Sequence, residues 1–70
     1  MVDMSSAVHE LDIYLDIQEY VCNMKDPYDR GLYNGLESAR SLLTGEEPVF
    51  MQESGELDKE AMQNNPQRYI

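Results

Sequence analysis

Residues 26–45, DPYDRGLYNGLESARSLLTG, combine a helix start, a regular apolar spacing and a helix stop in one run. Asp26 can accept hydrogen bonds from the first free amides of a helix, and Pro27 suits the first helical position, where no donor is needed. Asp29 adds negative charge to that first turn, where the helix dipole favours it. Tyr28, Leu32, Leu36, Ala39, Leu42 and Leu43 recur at steps of three and four, the spacing of one helix side. Gly45 fits a left-handed cap after Thr44, and Pro48 opposes continuation. The pattern predicts a helix over about 27–44, with the leucine side inward. Tyr33, Asn34, Glu37, Arg40 and Ser41 then fall on its outer side, with Asp29 and Glu37 near enough to pair with Arg30 and Arg40.

Gly31 and Gly35 lie one turn apart inside this helix, continued by Ser38. Each glycine costs roughly 0.8–1 kcal/mol relative to alanine, so a compensating gain is expected from a close backbone approach. Two readings follow: tight packing against another helix of the same chain, or a close contact with a second chain.

Before this run, AVHELDIYLDIQEYVCNM predicts a first helix over about 5–24, capped by Ser5 or Ser6, with Met1 to Met4 loose. Its polar side gathers His9, Asp12, Asp16, Glu19 and Asn23. Ile13, Ile17, Tyr20 and Met24 form one apolar flank, and Leu11, Leu15 and Cys22 form another. Together the flanks span roughly 220°, far more than the ~100° stripe of an ordinary surface helix. Such a helix needs more than one covering surface, supplied by the tail folding back, by a second copy or by a target protein that takes the exposed flank. The reading favoured here is an all-α antiparallel helical hairpin that pairs with a second copy as a dimeric four-helix bundle. Lys25 and Asp26 are the link that makes the two helices antiparallel neighbours.

The composition changes after residue 45. Val49, Phe50 and Met51 make an apolar cluster suited to folding over the open end of the hairpin. SGELDKEAMQNNPQRYI is polar, with a further short helix around 56–63 and a loose end after it. The chain thus divides into a hairpin domain over 1–50 and a polar tail over 51–70.

Seventy residues with 14 acidic and 5 basic side chains carry a formal charge of −9. That argues against direct binding to nucleic acid or to an anionic membrane surface, and allows a basic protein partner, a mimic of nucleic acid charge or simply good solubility, the commonest reason for such a charge. No run approaches the length of a transmembrane helix, and no basic region followed by an apolar run marks a leader. Cys22 is the single cysteine; a reducing, cytoplasmic setting fits it, and a small core residue is its expected role.

No nucleophile stands at a catalytic spacing from a base, and the glycines lie inside a helix rather than in a phosphate loop, so no enzymatic activity is expected. His9, Asp12 and Asp16 sit on one helix side, but metal sites draw ligands from more than one element, so neither metal nor cofactor is expected. The row Asp12, Asp16 and Glu19 is different. Carboxylates one turn apart lie roughly 5–6 Å from each other, a line of charge able to enter a basic groove as a mimic of nucleic acid.

Residues 26–50 also resemble a pattern of small uncharacterised acidic proteins of tailed bacteriophages. Its recurring parts are Tyr28 to Gly31, Asn34 to Glu37, and Gly45 to Pro48; the first helix and the tail carry no match. The resemblance implies an accessory phage protein in the bacterial cytoplasm that binds and redirects or inhibits a host component, or counters a defence system. A structural or assembly protein of the phage particle is the alternative. The expected contact surface comprises Asp12, Asp16 and Glu19 with Tyr33, Asn34, Glu37 and Arg40.

Overall fold

A computed structural model describes residues 3–69. Two long helices, α1 (Met4–Val21) and α2 (Pro27–Thr44), pack against each other as a helical hairpin. Two short helices follow, α3 (Lys59–Gln63) and α4 (Pro66–Tyr69), and no strand is present among the described residues. Of the stretch Met1 to Met4 expected to be loose, Met1 and Val2 lie outside the described residues, and Met4 belongs instead to the first turn of α1.

The start and stop signals of α2 act as the sequence suggests. The Asp26 side chain accepts from the Tyr28 amide at 3.1 Å, Pro27 opens the helix, and Gly45 closes it at φ 75°. The bounds of α1 differ from expectation. It starts at Met4 after Asp3, so Ser5 and Ser6 lie inside it rather than capping it. It also ends at Val21, three residues early. Asn23 there turns the chain: its side chain accepts from the Lys25 amide, and its own amide donates to Asp29. Arg30 completes the turn by donating to the carbonyls of Met24 and Lys25. The link is therefore five residues, 22–26, and it buries Met24 from outside the helix.

The larger difference is the rotation of α2. Its buried residues are Tyr33, Glu37 and Arg40, at 2%, 1% and 8% exposure. Tyr28, Leu32 and Leu42, expected inside, are exposed, and Leu43 lies at the margin. The cause is the chain after Gly45, which returns along α2 in extended form and brings backbone groups that need partners. Ser41 donates to the Glu46 carbonyl at 2.6 Å, and Glu37 accepts from the Val49 amide at 2.7 Å. Asn34 both accepts from the Met51 amide and donates to its carbonyl, at 2.7 and 3.0 Å. Residues 34, 37 and 41 thus do for this segment what a neighbouring strand would do.

Along the extended segment side chains alternate. Val49 and Met51 are buried while Phe50 points outward, so Phe50 does not close the end of the hairpin. Met51 pairs with Leu57 across a turn in which Gly55 adopts φ 85°, its Cα lying under the Lys25 side chain. Asp58 caps α3 by accepting from the Glu60 amide, and Asn65, also buried, donates to the carbonyls of Ala61 and Glu47. The tail is consequently part of the fold, and Met51, Ala61 and Asn65 rank among its most buried residues.

Of the two apolar flanks of α1, one is used. Leu15 centres the core with Met24, Tyr33 and Met51, and Cys22, Leu36 and Leu57 pack against it. Ile13, Ile17 and Tyr20 stay outside.

Candidate functional site

The acidic row of α1 borders a cleft of about 300 Å³ between α1 and the returning tail. Asp12, Asp16 and Glu19 stand at i, i+4 and i+7, one above another on the helix surface. Leu15 and Tyr33 lie beneath, and Leu57, Arg68 and Tyr69 close the far side.

The charges in this cleft are unequally engaged. Arg40 donates through Nε to Asp12 at 2.7 Å and through Nη1 to Glu46 at 2.9 Å. Burial by itself lowers the Arg40 pKa, but the hydrogen bonds to Glu46 and Asp12 outweigh it and leave it above its ordinary value. Arg68 forms a two-point contact with Glu37, at 2.8 and 3.0 Å, and its guanidinium sits 5.0 Å from the centre of the Tyr69 ring. Asp16 and Glu19 have no ion-pair partner among the described residues.

Two phenols line the site. Burial, with the nearby Glu19 carboxylate second, raises the Tyr33 pKa well above the ordinary tyrosine range. Burial also raises Tyr69, against the opposing influence of Arg68. The Tyr69 hydroxyl is enclosed and makes no hydrogen bond to the described residues. The arrangement offers carboxylate acceptors beside aromatic surface, the chemistry that receives a cationic side chain.

The residues expected on the contact surface are therefore divided. Asp12, Asp16, Glu19 and Tyr33 meet at this cleft, Tyr33 as its floor rather than as outer surface. Asn34, Glu37 and Arg40 do not belong to an open face, because they hold the tail and α1. Glu37 pairs with Arg68 and not with Arg30 or Arg40. Gly31 and Gly35 face open space: a Cβ built on either meets nothing within 4 Å, so no close packing within the chain explains them. Leu57, Arg68 and Tyr69 were not expected here. Their signal was Arg68 itself, a lone arginine in an acidic tail, with an aromatic neighbour and a helix-starting Pro66.

Among the described residues, no group of three His, Cys, Asp or Glu side chains is placed to hold a metal ion. No helix among them is long and apolar enough to cross a membrane. No protein-family model matches the chain, and neither a curated protein nor a solved structure matches it.

Proposed function

We propose that this chain is a small acidic accessory protein that acts by contact, binding and inhibiting or redirecting a basic protein of a host cell or of its defence system. The observation that carries the reading is the pair Asp16 and Glu19, uncompensated at the mouth of a cleft floored by Tyr33. A protein that handles nucleic acid presents lysines and arginines to phosphates, and these carboxylates compete for the same groups. A bacteriophage origin and work in the bacterial cytoplasm belong to the same reading and rest on the resemblance of residues 26–50. No catalysis is assigned. Arg40 and Arg68 are engaged by carboxylates, and the cleft lining holds no nucleophile beside a base.

A dimeric four-helix bundle is the finer architectural part of the proposal. Its support is the apolar surface left outside on α1, including Ile13, Ile17 and Tyr20. The same surface favours the second reading, a structural or assembly component of a phage particle.

Tagged chain and an Asp16→Asn/Glu19→Gln variant, passed through bacterial lysate, test the contact. Asp12 is left intact because it holds Arg40. The expected result is one nucleic-acid-binding partner, lost in the variant and weakened steeply by salt, which screens exposed charge over about 10 Å at 0.1 M. A partner retained by the variant moves the contact elsewhere. Co-purification with particles and with no soluble protein supports the structural reading instead.

A further inference from the structure

The outer face of α1 is apolar although it stays exposed in the folded chain. Ile13, Tyr14, Ile17, Tyr20 and Val21 are all exposed, Tyr20 at 92%. At ~100° per residue they occupy an arc of about 120°, opposite Leu15. The acidic row Asp12, Asp16 and Glu19 lies beside this arc and not within it. Glu10 is the one charged residue inside the arc, and α1 contains no Lys or Arg.

We propose that a second copy of this chain docks here, α1 against α1, antiparallel about a two-fold axis at Ile17. This deepens the dimeric reading above and rests on it. In an isologous contact residue i meets j and j meets i, so an axis at Ile17 sets Ile17 on Ile17 and Ile13 on Val21. Tyr14 then meets Tyr20. The same register carries Glu10 of one copy past the end of α1 in the other, level with the link 22–26. The one charged residue of the arc therefore clears the apolar contact, and the face is self-complementary in its apolar residues.

The area also suffices. The five side chains expose roughly 600 Å² per copy, so two copies can bury up to roughly 1,200 Å² through them, the lower bound of a stable specific interface. An anionic membrane is a poor occupant, because interfacial helices flank their apolar face with Lys and Arg and α1 flanks it with carboxylates. The acidic row stays outside the contact, which leaves the cleft of each copy open.

Sedimentation equilibrium of the chain, of Ile17→Asp and of the control Leu42→Asp on α2 tests the interface, with circular dichroism as the check on folding. The expected result is a dimer whose dissociation constant rises ~100-fold or more in Ile17→Asp, where two carboxylates meet on the axis, and is unchanged in Leu42→Asp. Ile17→Cys in a Cys22→Ser background should also oxidise to a dimer, because a residue on the axis meets itself. A dimer insensitive to Ile17→Asp overturns this interface while the dimeric reading survives. A folded chain that remains monomeric up to high micromolar concentration overturns both.

Discussion

Arg68 and Glu37, thirty-one residues apart, meet in a two-point contact that ties the last helix to the middle of α2. Glu37 is 1% exposed and also accepts from the Val49 amide. One carboxylate thus holds the helix, the returning segment and the C-terminal turn together. Removing either partner leaves a buried charge uncompensated, at a cost of about 3–5 kcal/mol. Against a total stability of about 5–15 kcal/mol for a domain, Glu37→Leu and Arg68→Ala should each leave the protein marginal in urea unfolding. A double Glu37→Leu/Arg68→Met variant should recover part of the loss but not all, because the Val49 amide remains without an acceptor. Full independence of the two substitutions would contradict this.

Asn34 satisfies both backbone groups of Met51. Asn34→Ala orphans a donor and an acceptor and should destabilise by about 2 kcal/mol. Native-state hydrogen exchange should show the Met51 amide, and then the Val49 amide, exchanging faster while the amides of α1 change little. Uniform acceleration across the chain would argue that the extended segment has no separate dependence on Asn34.

Gly31 and Gly35 are exposed within α2 and have room for a methyl group. Gly31→Ala and Gly35→Ala should each stabilise the fold by about 0.8–1 kcal/mol in denaturant unfolding. Destabilisation would show that a backbone approaches them closely after all, and loss of an oligomer would identify it as another chain's.

Tyr33 and Tyr69 have raised pKa values in the folded chain. The unfolded state therefore releases these protons first, at about pH 10. Stability that is fully present below that pH should fall as the pH rises beyond it. Phenolate absorbance at increasing pH should show two late protons released together with loss of helical signal. Tyr33→Phe should remove one of them, and release of every phenol before unfolding would contradict the account.

The helix ends of α2 were legible because Asp26, Pro27 and Gly45 act locally, through the backbone of their own turn. Which side of α2 faces inward was not legible in the same way. Periodicity ranks sides by apolarity, and the leucine side of α2 is the more apolar one. What turned the helix was a segment that arrives five to seventeen residues later and needs hydrogen-bond partners, which Asn34, Glu37 and Ser41 supply. Read as surface chemistry, these residues form a plausible contact patch; read against Val49 and Met51, they are the inner face. The acidic row behaves oppositely. Asp16 and Glu19 stay outside, and their position followed from α1 alone. The excess apolar arc of α1 was legible as a quantity, but choosing the buried flank required Leu57 and Met51, which join Leu15 only in the folded chain.

The inward rotation of α2 is tested most directly by truncating one residue from each side of it. Tyr33, on the polar side, is 2% exposed, and Leu42, on the leucine side, is 86% exposed. Urea unfolding should show Tyr33→Ala losing about 3–5 kcal/mol, with Leu42→Ala within about 0.5 kcal/mol of the parent. A Leu42→Ala loss larger than that of Tyr33→Ala would contradict it and return the leucine side to the core.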